Sequence, residues 1–252
     1  MQIGLIGAGN MATALARGWG RPVLCTDVLP ERARALAEET GGEALADGRE
    51  VATRADLVVL CHKPAQLPEV AAALRDDARA IVSILGGVAR AEVVEAYPGR
   101  PVYRLLPSTP VEVRQGVVLI ARSEPQPLDA DVAELFGELG LLVPIDEGLV
   151  DVAMGLMSTA PAFLALVAEA QVDAGVRHGM PAERAAELVV QTMAGTAALL
   201  RHRGYDTLAV RRQVTSPGGS TARGLDALER AGLRAAFSDA LDAVSETGSW
   251  AR

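Results

Sequence analysis

Four apolar residues, Ile3 to Ile6, run directly into Gly7-Ala8-Gly9-Asn10-Met11-Ala12, and a helical pattern follows. Few folds accommodate that succession. A short buried strand has to turn sharply into a helix, and Gly7 permits the turn. Gly9, lacking a Cβ, leaves the backbone open to an approaching group, and Ala12 lets the helix lie close on the sheet. The turn presents unpaired N–H groups at a helix N-terminus, where the dipole favours an anion, and a dinucleotide's pyrophosphate suits a G-x-G-x-x-A run. Ile6, Gly7, Gly9, Asn10 and Met11 are therefore candidate cofactor-binding residues. Glycines also mark ordinary turns, so the context decides. A strand precedes, a helix follows, and Asp27 closes the second strand-like run near the roughly 20-residue offset of a ribose-binding acid. The plain alternative for Asp27 is a cap on the helix after it.

From Gln2 to about Asp146, short β-like runs alternate with helical stretches. The strand candidates are Ile3 to Ile6, Val23 to Cys25, Leu57 to Leu60, Ala80 to Ile84, Val102 to Leu106 and Gly116 to Ala121. Helical patterns fall at Pro30 to Thr40, Ala65 to Leu74 and Asp129 to Leu139. Near-continuous apolar strands separated by helices imply a doubly wound parallel sheet of Rossmann type, covered on both faces. Ligands of such sheets bind outside the carboxyl ends of the strands. That edge gathers Cys61, His62, Lys63 and Pro64 after the third run with Leu85 and Gly86 after the fourth, all candidates for cofactor contact. Lys63 suits phosphate neutralisation or simple solvation, and His62 suits a place beside the nicotinamide or a structural role. The three histidines and two cysteines show no metal-ligand spacing.

Beyond Pro144 the strand signals cease, which divides the chain into an α/β domain over residues 1–146 and an all-helical domain over 147–252. Pro181 suits a first helical position. From there Ala185, Leu188, Val189, Thr192, Met193, Thr196 and Leu200 recur at three- and four-residue steps and predict one buried stripe. Aromatics make up only 3% of the chain, so a helical half of this size is short of material for its own core and points to a partner subunit.

Composition narrows the function classes. Half of the 252 residues are hydrophobic and 22% charged, as in a globular protein. A formal net charge of −8 disfavours nucleic acid, whose phosphates need a basic face. The Arg32/Arg34 and Arg211/Arg212 clusters are short enough to be solvated helix faces. No signal-peptide pattern is evident, and no uninterrupted apolar stretch suggests a bilayer span. Cys25 and Cys61 make no disulfide framework, so a cytoplasmic location with reduced thiols is expected.

In the helical half, Val214-Thr215-Ser216-Pro217-Gly218-Gly219-Ser220-Thr221 precedes a helical run to Glu229. Paired glycines, a proline and hydroxyls before a helix form either a simple cap and turn or an anion site of backbone N–H groups flanked by hydroxyls. Two glycines and three hydroxyls exceed what one helix start requires, which favours a carboxylate site.

At this point the chain resembles the pyrroline-5-carboxylate reductase family, nearly end to end. The similar stretches are Gly7 to Ala12, Lys63-Pro64, Pro107-Ser108-Thr109-Pro110, Ala160-Pro161-Ala162-Phe163, Ala174-Gly175-Val176 and Gly179-Met180-Pro181. The most specific is Val214 to Thr221 with Gly224-Leu225 and Leu228-Glu229. The resemblance implies NAD(P)H-dependent reduction of 1-pyrroline-5-carboxylate to L-proline, the last step of proline biosynthesis. It also implies a Rossmann domain followed by a helical dimerisation domain, in homodimers often assembled into larger rings. Ser216, Gly218, Gly219, Ser220 and Thr221 would bind the substrate, with Thr221 the hydroxyl nearest the ring nitrogen and so the catalytic candidate. The chain departs from the family at Ser108, where Asn is usual, and at Met157-Ser158-Thr159-Ala160, where a Ser-Gly-Ser-like turn is usual. It departs again over Tyr205-Asp206-Thr207 and Val210-Arg211-Arg212. A related reductase of another small imino or oxo acid, or a nucleotide-binding regulatory protein without turnover, are the alternatives. Asp27 would accept from a ribose diol and repel a 2′-phosphate, so NAD(H) is the expected cofactor and NADP(H) the second choice.

Overall fold

A computed structural model describes residues 1–246. The strands are β1 (Ile3–Ile6), β2 (Leu24–Thr26), β3 (Glu43–Ala44), β4 (Leu57–Leu60), β5 (Ile81–Ser83), β6 (Val102–Pro107), β7 (Gly116–Ala121) and β8 (Gly140–Ile145). They form one sheet in the order β3-β2-β1-β4-β5-β6-β7-β8. All adjacent pairs are parallel except β6 with β7. The chain order reverses at β1, where β2 lies on one side and β4 on the other, which creates the crevice expected of a doubly wound sheet.

Helices cover both faces. On one lie α1 (Asn10–Trp19), α2 (Pro30–Thr40) and α6 (Asp129–Gly137), whose Ala12, Leu15, Ala33, Leu36, Val132 and Phe136 are buried together with Leu5, Val59 and Val82. Trp19 donates its indole N–H to the Leu135 carbonyl at 2.9 Å and meets Phe136 edge to face. On the other lie α3 (Gly48–Arg54), α4 (Leu67–Leu74) and α5 (Arg90–Ala96), packed through Val51, Leu74 and Val93 on Ile6, Val58 and Ile81. Alternate residues of each strand thus feed opposite cores, as the two-residue period requires.

Strands β1, β4 and β7 lie where the apolar runs predict them, and β2 and β6 are shifted or extended by one residue. Two strands went unread. β3 is a two-residue edge strand containing a glutamate. β8 carries an exposed Leu141 and a proline, features of an edge strand rather than a buried one. The loops at the carboxyl edge therefore follow the fourth and fifth strands of the sheet, not the third and fourth.

Contacts divide the chain into Met1–Pro161 and Ala162–Ala243. The compositional change falls earlier, near residue 147, but α7 (Val150–Met157) belongs with the sheet: Val150, Met154 and Met157 are buried against Leu106 and Leu119. Arg104, only 5% exposed within β6, holds Glu147 in an ion pair, and Glu147 also accepts from the Arg90 amide at 3.0 Å. The short turn Glu147–Leu149 after β8 is thereby fixed to the sheet.

The second unit is built from α8 (Ala160–Arg177), α9 (Ala182–His202), α10 (Thr207–Gln213), α11 (Ser220–Arg230) and α12 (Leu233–Glu246) as far as Ala243, with its start falling in the first turn of α8. Pro181 is the N-cap of α9 rather than its first residue. Of the stripe expected to be buried, Ala185 alone is buried within this chain, and Leu188 is 52% exposed. Only Ala185 and Val210 are buried hydrophobics in this unit. Residues 147–177 contain a window of mean hydropathy 1.7, long and apolar enough to cross a membrane by length and composition, and only 22% of it is buried within the chain. Ser158 and Thr159 interrupt it between α7 and α8, so it is not one continuous apolar run.

Candidate functional site

A cleft of about 1400 Å³ opens along the carboxyl edge of the sheet. It is lined by every residue marked from the sequence as a cofactor candidate: Ile6, Gly7, Gly9, Asn10, Met11, Asp27, Cys61, His62, Lys63, Pro64, Leu85 and Gly86. The two glycines of the turn differ in what holds them. Gly7 has φ +103°, and a Cβ there would stand 2.8 Å from the Cys61 carbonyl oxygen, so fold alone excludes other residues. Gly9 has ordinary extended backbone, and a Cβ would meet nothing within 4 Å. The space over Gly9 belongs to the cleft. No side chain caps α1, so its first N–H groups face the same space. An open cradle above uncapped amides fits a pyrophosphate.

Asp27 performs a task the sequence did not disclose. Its carboxylate accepts from the Ala8 amide at 2.7 Å and from the Leu29 amide at 2.9 Å. One bond pins the glycine turn and the other shapes the entry to α2. A carboxylate has about four acceptor sites, so two bonds leave capacity for a ribose hydroxyl. Arg32 lines the same end of the cleft and makes no ion pair among the described residues, whereas Arg34 does not line it.

At the β4 edge, the His62 ring meets the Lys63 carbonyl through Nδ1 at 2.9 Å, which assigns the proton to Nδ1. Burial lowers its pKa, which favours the neutral ring. Its Nε2 is buried without a partner. Lys63 is exposed, and its amide donates to Gln66 Oε1 at 3.0 Å, starting the 3-10 turn Pro64–Gln66. Burial raises the pKa of both thiols, Cys25 to about 11, and both are free, so neither is poised for nucleophilic or redox chemistry.

The cleft also includes residues that motif reasoning missed. Leu106 and Pro107 at the end of β6, Met154 of α7 and Ser158 at its C-cap line the end away from Asp27. Pro107 and Ser158 fall in stretches compared with the family, but nothing in the local sequence assigns any of the four to the cleft. They arrive there because β6 and α7 pack together. Ser108, where the family usually has Asn, is 3% exposed, and its hydroxyl is bonded to both the amide and carbonyl of Val117. It serves the β6–β7 connection.

In the second unit, the Ser216 to Thr221 loop leads into α11, whose N-cap is Gly219. Gly218 has φ +70°, and a Cβ on Gly219 would lie 2.5 Å from Ser216 Oγ, so the loop folds tightly on itself. Arg223 donates to the Gly218 carbonyl at 2.8 Å. No side chain caps α11, and the loop is exposed or half-exposed.

Together the reversal at β1, the glycine turn and the carboxyl-edge cleft define a Rossmann-type dinucleotide-binding protein. Residues 147–249 match the family model for pyrroline-5-carboxylate reductase dimerisation, and residues 2–87 match one described as NADP oxidoreductase, coenzyme F420-dependent. A pyrroline-5-carboxylate reductase from Thermus thermophilus is 35% identical over 98% of this chain and 97% of its own. The structure of 1-pyrroline-5-carboxylate reductase from Streptococcus pyogenes superposes with a TM-score of 0.89 at 28% identity, covering 98% of each chain. A Plasmodium falciparum pyrroline carboxylate reductase with NADP bound has the same fold (TM-score 0.87, 24% identity, 98% and 97% covered). The chain belongs to the pyrroline-5-carboxylate reductase family.

Proposed function

We infer that this protein reduces the C=N bond of 1-pyrroline-5-carboxylate with a nicotinamide dinucleotide, giving L-proline. The observation that carries the reading is the cleft over Gly9, shaped for a dinucleotide, in a chain whose relatives over nearly full length are reductases of this imine. When bound, the reduced nicotinamide supplies a hydride to the imine carbon, while the nitrogen takes a proton. The chain's own work is binding and orientation. The amides of α1 and the Gly7 to Met11 turn grip the pyrophosphate, and Asp27 receives a ribose hydroxyl. Cys61 to Pro64 with Leu85 and Gly86 flank the remainder of the cofactor. A carboxylate at Asp27 favours NADH over NADPH, with Arg32 opposing that bias.

The carboxylate of the imino acid is assigned to Ser216, Gly218, Gly219, Ser220 and Thr221. The uncapped α11 supports this over a simple cap, because its N–H groups still require an anion or water. Thr221 is assigned to orient the ring nitrogen. The apolar, largely unburied α7–α8 segment and the open α9 stripe are assigned to a second copy of the chain rather than to lipid or nucleic acid, in a helical substrate-binding and dimerisation domain spanning 147–252. Dimers are the minimum, with rings of dimers the larger form. The reaction is placed in the cytoplasm.

Initial rates with the imine and each cofactor test this reading, with Thr221→Ala alongside. Turnover should favour NADH, and the variant should lose about 10²-fold in kcat/KM while NADH affinity holds. Cofactor binding without turnover on the imine would contradict the assigned reaction. Collapse of NADH binding in the variant would move the loop to the nucleotide.

A further inference from the structure

We propose that Ser158 is the positioning residue for the nicotinamide ring, its hydroxyl pairing with the ring's carboxamide. The proposal rests on the dinucleotide reading of the cleft. In that reading Asp27 and Arg32 mark the adenosine end and the α1 amides hold the pyrophosphate, so the nicotinamide lies towards β5 and β6. There the wall is Leu85, Gly86, Leu106, Pro107, Met154 and Ser158. Five of these offer only apolar side-chain surface or none, and the Met154 methyl lies 3.8 Å from where a Gly86 Cβ would be. A flat, weakly polar ring with one amide requires such a surface with one placed polar group.

Ser158 is the hydroxyl left for that task. Its amide is bonded to the Met154 carbonyl at 2.8 Å, which sets it one turn from Met154 on the same face of the helix. Its hydroxyl has no hydrogen bond among the described residues. The neighbouring hydroxyls are engaged: Thr159 donates to the Gly155 carbonyl at 3.0 Å, Ser108 is bonded to Val117, and buried Ser83 receives the Leu85 amide. Ser158 therefore supplies a hydroxyl to the wall of the cleft.

The test is calorimetric titration of the full-length protein with NADH and with ADP-ribose, which lacks the nicotinamide. Ser158→Ala should weaken NADH about three- to tenfold, the effect of one neutral hydrogen bond, and leave ADP-ribose within about twofold. Ser158→Thr, which keeps the hydroxyl, should restore NADH affinity. Unchanged NADH affinity in Ser158→Ala would overturn the proposal, as would an equal loss for both ligands, which would mean a disturbed helix. Failure of wild-type protein to bind either ligand would instead overturn the dinucleotide reading beneath it.

Discussion

Gly7 and Gly9 stand two residues apart and are glycines for different reasons. Gly7 is held by the fold, through its positive φ and the Cys61 backbone 2.8 Å from any Cβ, whereas Gly9 answers only to what enters the cleft. Gly7→Ala should therefore cost about 1–3 kcal/mol of stability. Gly9→Ala should melt like the wild type yet lose NADH affinity at least tenfold. Thermal melts paired with NADH titrations separate the two, and equal melting losses would remove the distinction. The sequence made the motif and the separate tasks of its two glycines legible, but not the Cys61 backbone that packs against Gly7. Asp27 is similar. Its position in the motif was readable, but its two bonds to Ala8 and Leu29 required the folded turn.

Among the elements, the strands buried on both faces were readable because each is a continuous apolar run bounded by loops. β3 and β8 were not, being edge strands with polar, exposed or proline positions. The antiparallel setting of β7 was hidden as well, since the short Thr109–Val113 turn that reverses the chain carries no apolar period. At the junction after β8 composition changes at residue 147, where the match to the dimerisation family also begins, while packing holds α7 on the sheet. Glu147 is what ties it there, pairing with a buried Arg104 and the Arg90 amide. Removing it by Glu147→Ala leaves a guanidinium buried without its counter-charge. Because Glu147 is itself 40% exposed, the loss should be about 1–3 kcal/mol, below that of a fully buried pair. Glu147→Gln, which keeps an acceptor, should lose less. Urea denaturation of the three proteins checks the order, and an Ala variant as stable as wild type would show the pair to be dispensable.

At the level of the whole molecule, the unit Ala162–Ala243 contains almost no interior of its own. The helical period of α9 was legible in the sequence, but the period cannot say whether the stripe is covered by its own chain or by another. If a second copy covers it, folding of this unit and association are one process, and the melting temperature rises with protein concentration. Leu188→Glu sharpens the test. At a position 52% exposed in a lone chain, such a change is usually within about 0.5 kcal/mol of neutral, whereas at an interface it should yield monomers by light scattering. An unaltered dimer would exclude Leu188 from the contact, and a monomeric wild type would remove the assembly altogether. The central claim, reduction of the imine by a nicotinamide in this cleft, has its most direct measurement in isotope transfer. NADH deuterated at the transferring C4 position should yield proline with a single deuterium at C5, detected by mass spectrometry, and the yield should fall in Gly9→Ala. Proline without the label, or cofactor oxidation with no proline formed, would contradict it.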